Sequence, residues 1–233
     1  MKNLAIIPAR SGSKGLKNKN IKELNGIPLM GYSIDAAIRS REFAEVMVST
    51  DSEIYSDVAR KYGASVPFLR SNEKSNDVAS SWEVVIEVLN KYKETGILFD
   101  TVCLLQPTSP LRDANDIVDA YKLLENHSID SVTSVCEVEH SPLWSMQLSE
   151  DLSLNEFNKI CEDIPRQKLG KYYRLNGAIY IRKIEYLNDT IVIKNQNDIA
   201  LIMDRSSSID IDTNDDFELA EFYIKKRFLN IKR

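Results

Sequence analysis

Apolar residues recur along this 233-residue chain in two rhythms that alternate with each other. Leu4 to Ala9, Glu45-Val-Met-Val-Ser49, Thr101-Val-Cys-Leu-Leu105, Ser131 to Val138 and Gly177-Ala-Ile-Tyr-Ile181 are short runs with the length and β-branched content of buried strands. Between them apolar positions fall at helical spacing. Tyr32, Ile34, Ala37 and Ile38 predict a helix over Gly31 to Arg41, and further helices are expected over Ser52 to Tyr62, around Ser80 to Tyr92, and through Ile117, Ala120, Tyr121 and Leu124. A short strand is expected near Ser65 to Leu69, and another at Ser208-Ile-Asp-Ile-Asp212, where apolar and acidic residues alternate. Gln106-Pro-Thr-Ser-Pro110 carries two prolines and reads as a tight loop. Thr213 and Asp216 have the spacing of a helix-capping pair, ahead of a helix with acids first and Lys225, Lys226 and Arg227 last.

Strand, loop and helix in that order predict an α/β fold, with a mostly parallel sheet covered by helices on both faces. Ligands of such sheets bind in loops at the carboxyl ends of the strands. The rhythm stops between about residues 139 and 174, a stretch that contains Trp144 and mixed charges. It reads as an insertion that packs on something else, and a second subunit is the candidate.

Composition narrows the class. At 43% hydrophobic and 28% charged the chain is globular, and its length suits one domain of 1–233 with no appended domain. No apolar run approaches the roughly 18–20 residues of a membrane span, and Met1 to Pro8 is too short for a signal peptide, so a cytoplasmic protein without membrane partners is expected. Cys103, Cys136 and Cys161 are odd in number and lack metal-ligand spacing, which predicts buried, reduced thiols. The net charge of −5 argues against a nucleic-acid partner.

That net charge conceals an asymmetry. Residues 1–22 hold Lys2, Arg10, Lys14, Lys17, Lys19 and Lys22 and no acid, whereas residues 204–221 hold seven acids and one base, Arg205. The basic half includes Ala9-Arg-Ser-Gly-Ser-Lys-Gly15 and Lys17-Asn-Lys-Asn20, directly after the first strand. Glycines that free the backbone, hydroxyls, and Arg and Lys donors together suit an oxyanion with several phosphates. Glycines at 12 and 15 alone match neither the Walker A nor the dinucleotide fingerprint, which disfavours a P-loop kinase or a nicotinamide dehydrogenase. In the acidic half, Asp210 and Asp212 are two apart on the expected strand and share a face, with Ile209 and Ile211 toward the core. Paired hard carboxylates suit Mg²⁺. Phosphate donors and a Mg²⁺ site together describe nucleotidyl or phosphoryl transfer.

The chain also resembles the acylneuraminate (CMP-sialic acid or CMP-nonulosonate) cytidylyltransferases. The resemblance rests on Ile7-Pro-Ala-Arg-Ser-Gly-Ser-Lys-Gly15 with Lys19-Asn20, Ser49-Thr-Asp51, Gln106-Pro-Thr-Ser-Pro-Leu-Arg112, Pro165-Arg-Gln167, Tyr173-Arg-Leu-Asn-Gly-Ala-Ile-Tyr180 and Ser208-Ile-Asp-Ile-Asp-Thr213, in the family's order. It implies a Rossmann-like nucleotidyltransferase fold, a homodimer formed through the insertion, CTP and a nonulosonic acid as substrates, Mg²⁺, and the products CMP-nonulosonate and pyrophosphate. By this resemblance Arg10, Ser13 and Lys19 hold the triphosphate, Asn20 and Arg70 lie near the ribose and cytosine, and Ser80 lies at the nucleotide. Gln106, Arg166, Arg174 and Asn176 meet the sugar acid, partly from the opposing subunit, and Asp210 and Asp212 hold the metal. Arg10, Lys19, Asp210 and Asp212 are then the catalytic set. Independently, Arg is the natural planar partner of the acceptor's carboxylate.

One position departs from the pattern. Some sialic acid members continue the His-x-Pro-Leu segment with Lys, whereas His140-Ser-Pro-Leu-Trp144 ends in an aromatic. Trp144 can stack on a methyl or N-acetyl group, which points to a 6-deoxy, di-N-acetylated acceptor such as legionaminic acid; packing of the dimer arm is the other reading. Two rival functions remain. Transfer to 3-deoxy-manno-octulosonate shares fold and metal, but that family's first loop usually reads Pro-Ala-Arg-x-x-Ser-x-Arg-Leu-Pro-Gly-Lys. A non-catalytic nucleotide-binding protein would be expected to have lost part of the Arg10, Lys19, Asp210 and Asp212 set.

Overall fold

The computed structural model describes residues 1–12, 15–71, 80–126, 128–148, 150–154, 170–188 and 190–231, with side chains as far as Arg227. Its sheet is built from β1 (Asn3–Pro8), β4 (Glu45–Ser49), β5 (Thr101–Leu104), β6 (Ser131–Glu137), β7 (Tyr173–Leu187) and β9 (Asp198–Ile202), in the order β4-β1-β5-β7-β6-β9. β1 pairs in parallel with β4 and β5, and β6 in parallel with β9. β7 runs antiparallel to both β5 and β6, and β8 (Thr190–Ile193) folds back on its end. The sheet is therefore mostly parallel as expected, with one reversed strand at its centre.

Alternation along the strands sorts side chains to the two faces. Ala5, Ile7 and Cys103 join one buried cluster with α1 (Leu29–Ser40), α2 (Glu53–Lys61) and α4 (Ala114–Leu124). Leu4, Ile6, Val102 and Leu104 join a second with Val85, Val88, Leu89 and Tyr92 of α3 (Ser81–Glu94). A third, smaller cluster forms where α5 (Asn214–Ile231) meets Leu24 of the hairpin β2 (Glu23–Leu24) and β3 (Ile27–Pro28), Leu111 and Ile211. Cys103 and Cys136 are buried free thiols; Cys161 lies outside the described residues. No helix among the described residues is long and apolar enough to cross a membrane.

Two expected strands do not form. Around Ser65 there is only an isolated bridge to Met47 of the edge strand, because Pro67 has no N–H for a ladder. Ser208–Asp212 forms no ladder; Ile211 N–H donates to the Thr108 carbonyl at 2.9 Å. Its alternation survives without a ladder: Ile211 is fully buried and Ile209 packs beside it, while Asp210 and Asp212 turn the other way.

Between β6 and β7 the register shifts at Thr133/Val135. There Gly177 adopts φ +75°, the left-handed conformation that glycine tolerates at a bulge. The break leaves polar groups to satisfy, and two buried side chains satisfy them. Ser134 Oγ donates to Asn176 Oδ1 at 2.6 Å and accepts from Ile179 N–H at 2.7 Å; Asn176 Nδ2 donates to Ser208 Oγ at 2.9 Å. This chain of bonds runs from the sheet to the segment that carries Asp210.

Candidate active site

The loop after β1 and the segment before α5 are nearly 200 residues apart in sequence and adjacent in space. Lys19 Nζ donates to the Ile211 carbonyl at 2.7 Å and meets Asp212 Oδ1 at 3.1 Å. The Lys19 side chain is only 12% exposed, whereas that of Asp212 is 78% exposed. Lys19 sits in a 3-10 turn, Lys19–Ile21, entered through Asn18 in the left-handed region at φ 54°. Gly15 is required by proximity: a Cβ there would lie 2.6 Å from the Asp212 carbonyl oxygen. Asn20 is buried and its Nδ2 donates to the Arg10 carbonyl at 3.0 Å, so its amide braces the loop from within. Ser13 lies outside the described residues.

Asp210 lies close to Asp212 and Lys19. Burial pushes its carboxyl pKa up, and Asp212 adds to the rise; a hydrogen bond from Thr108 and the charges of Lys19 and Arg174 oppose it. Its buried Oδ1 has no hydrogen-bond partner among the described residues. A buried, unpartnered carboxylate oxygen is costly unless something cationic meets it. Asp210 and Asp212 together offer two hard oxygen donors on one side of Lys19, a set that fits Mg²⁺ completed by phosphate oxygens and water. Among the described residues no cluster of three or more His, Cys, Asp or Glu forms a fuller metal site.

On the other flank of Asp210, the Gly177 bulge admits Gln106. A Cβ on Gly177 would lie 2.8 Å from Gln106 Oε1, so the missing side chain makes room for that amide, whereas Asp210 Oδ2 at 3.4 Å would be in ordinary contact. Arg174 is exposed, and its guanidinium donates to the Leu175 and Ser208 carbonyls, each at 3.2 Å. Asn176, expected at the sugar acid, is 1% exposed, and its amide is engaged by Ser134, Ser208 and Ala178 N–H. What it does is hold the bulge and, through Ser208, the Asp210 segment. Arg166 lies outside the described residues.

Arg70 is buried, and its guanidinium donates to Ser49 Oγ at 3.1 Å and to the Ser49 carbonyl at 2.7 Å. Burial lowers its pKa; Asp51 and Glu87 counter this. The Ser80 hydroxyl caps α3 by accepting Glu83 N–H at 3.2 Å, and the Glu83 carboxylate accepts Ser80 N–H in return. Residue-type reasoning passed over Arg112, which is buried and donates to the Gln106 and Ala178 carbonyls at 3.4 and 3.0 Å, pinning the Gln106 loop to β7. A charged residue in the apolar company of Leu111 was the available signal.

An α/β sheet whose carboxyl edge joins a basic phosphate-type loop to a carboxylate pair defines a nucleotidyltransferase class of site. The cytidylyltransferase family model matches residues 4–187. The chain belongs to the cytidylyltransferase family. It is 37% identical to the CMP-N,N'-diacetyllegionaminic acid synthase of Legionella pneumophila, over 95% of each chain. It is 40% identical to the N-acylneuraminate cytidylyltransferase of Escherichia coli over 93% of its own length, but spans only 51% of that relative. With the pseudaminic acid cytidylyltransferase of Campylobacter jejuni it shares 35% identity over 97% of each. Among solved structures, CMP:2-keto-3-deoxy-manno-octonic acid synthetase complexed with CTP superposes with a TM-score of 0.71 at 15% identity, covering 97% of this chain and all of that one. The 4-diphosphocytidyl-2C-methyl-D-erythritol synthase of Anaerococcus prevotii superposes at 0.62 and 14% identity, covering 96% and 98%. These two share the fold.

Proposed function

We propose that this protein transfers CMP from CTP to the anomeric hydroxyl of a nonulosonic acid and releases pyrophosphate. The observation that carries this reading is the Lys19–Asp212 pair beside the buried, unpartnered Asp210 oxygen, which joins a triphosphate-type loop to a cation-type site at one edge of the sheet. The names of full-length relatives, the legionaminic and pseudaminic acid enzymes, favour a nonulosonate over an octulosonate acceptor. The intact basic and acidic sets favour an enzyme over a nucleotide-binding protein.

In this reading Arg10 and Lys19 bind the β- and γ-phosphates and offset the charge that builds on departing pyrophosphate. Asp210 and Asp212 hold Mg²⁺, which when bound supplies a Lewis acid for the α-phosphoryl oxygen. Arg174 and Arg166 receive the acceptor's carboxylate, and Gln106 a polar group of the sugar. The anomeric oxygen forms a bond to the α-phosphorus, the bond to the pyrophosphate oxygen breaks in line, and the hydroxyl proton passes to water. Arg70 and Ser80 border the nucleoside, with Ser13 completing the triphosphate loop. Trp144, 38% exposed on the turn Pro142–Trp144, is placed by its sequence context to stack on an N-acetyl or methyl group, which favours a legionaminic-type acceptor.

Magnesium-dependent pyrophosphate release from CTP, measured over N-acetylneuraminic, N,N'-diacetyllegionaminic, pseudaminic and 3-deoxy-manno-octulosonic acids, tests the whole reading. Release with a nonulosonate is expected; release with the octulosonate alone, or with none, overturns it. Asp212→Asn abolishes turnover and leaves the melting temperature unchanged, since that side chain is exposed; full activity would remove the metal assignment. Lys19→Ala lowers kcat by about 10²-fold, the scale of losing one electrostatic stabiliser.

A further inference from the structure

Ser49-Thr-Asp51 closes β4 at the strand-to-helix corner before α2, and three parts of the nucleotide side converge on it. Ala9 N–H donates to the Ser49 carbonyl at 2.9 Å and Arg70 N–H to the Thr50 carbonyl at 2.8 Å, while the Arg70 guanidinium bonds Ser49 as described. Asp51 makes the third connection. Its Oδ1 accepts Ser11 N–H at 2.8 Å and its Oδ2 accepts the Ser11 hydroxyl at 3.2 Å. A carboxylate beside a loop meant for a triphosphate would repel the ligand if it faced it. Here both oxygens are spent on one residue of that loop, so the charge is directed at the loop's own donors.

We propose that Asp51 is a positioning residue for nucleotide binding: it fixes the loop between Arg10 and Gly12 through Ser11 and sets that loop against Arg70, without itself touching the nucleotide. The inference rests on the reading of the site as a CTP site. Asp51 also offsets the positive charge of Arg70, which Arg10 opposes, so two cations are held near each other before any phosphate arrives. A consequence distinguishes this from direct recognition. The Ser11 hydroxyl hydrogen goes to Asp51, so Ser11 gives the phosphates no side-chain hydrogen bond.

The test is calorimetric titration with CTP and Mg²⁺ together with steady-state pyrophosphate release. Asp51→Asn weakens CTP binding and raises the CTP KM about tenfold, equivalent to about 1.4 kcal/mol, with the sugar-acid KM unchanged. Ser11→Ala changes CTP affinity less than about threefold, because the backbone bond to Oδ1 remains. Unchanged CTP affinity in Asp51→Asn overturns the inference, as does an equal rise in both KM values, which is the signature of general disruption. If Asp51→Asn does not fold, Ser11→Ala decides alone: a tenfold loss there makes the hydroxyl a direct ligand and the inference fails. A wild-type protein that binds no CTP ends the functional reading, and this inference falls with it.

Discussion

Gly177 shows how much a single missing side chain can organise. At φ +75° any other residue incurs about 1–2 kcal/mol of backbone strain, and a methyl group would also collide with Gln106 Oε1. Gly177→Ala is therefore expected to lower the melting temperature and to raise the sugar-acid KM more than the CTP KM, measurable in one set of kinetics and a thermal melt. Glu87 offers a pH-dependent counterpart. Burial works to raise its pKa, but hydrogen bonds from Lys91 and Ser71 and the Lys91 charge outweigh it, and the net shift is downward. A carboxyl depressed in the folded state adds stability above its unfolded pKa and loses that contribution as pH falls through the folded value. Glu87→Gln is expected to destabilise the fold by about 1 kcal/mol at neutral pH, with the difference from wild type closing below the ordinary carboxylate range. The Lys19, Asp210 and Asp212 grouping was legible from charge and spacing, since function constrains residue type. The inward turn of Asn176 was not, because by residue type an amide reads the same whether it faces a ligand or holds a bulge.

At the level of elements, the helices were easier to read than the strands. α4 was marked by Ile117, Ala120, Tyr121 and Leu124, and all four are buried. Its start is fixed by Asp113, whose carboxylate accepts Asn115 N–H at 2.8 Å and Asp116 N–H at 3.2 Å while Asp116 Oδ2 accepts Asp113 N–H at 2.9 Å. Asp113→Ala costs about 1 kcal/mol by loss of that cap, or about 2–4 °C in melting temperature for a chain of this size, with CTP turnover unaffected. The Thr213–Asp216 pair behaves likewise, Thr213 N–H donating to Asp216 Oδ2 at 2.8 Å. Strand β9 was missed because its side chains are largely exposed and carry no buried-run signal. The hairpin β2–β3 is two residues a side, too short for any period. Ser208–Asp212 shows the converse: alternation records that one face is buried, and a segment lying against α5 achieves this without a partner strand.

Over the whole molecule, part of the basic head meets part of the acidic tail, Lys19 reaching Asp212 and Lys22 reaching Asn214, because the sheet brings the end of β1 to the segment before α5. The same view shows where apolar surface is left over. Trp144, Met146, Leu148, Leu152, Tyr172, Tyr173 and Leu175, all in or beside the 139–174 region, and Ile202 on the outer strand are exposed. Among the described residues, this concentration of exposed apolar side chains fits the homodimer arm expected from the sequence. Sedimentation equilibrium is expected to give a dimer for the wild type and a monomer for Leu175→Glu, with Leu175 being 61% exposed in the single chain; a wild-type monomer would refute the arm.

The reversed central strand also sets a timetable for folding. β5 and β6 follow one another in the chain but stand on either side of β7, about 9.5 Å apart at the usual strand spacing. During synthesis, β4, β1 and β5 can zip together early, whereas β6 has no strand to pair with until residues 173–187 leave the ribosome. A nascent chain stopped short of Tyr173 has one three-stranded sheet fragment and a lone β6, so the seam closes late and by long-range contacts, the slow kind. The strand that carries Gly177 and Arg174 is thus the one whose arrival joins β6 to the rest of the sheet, with β8 and β9 still to follow.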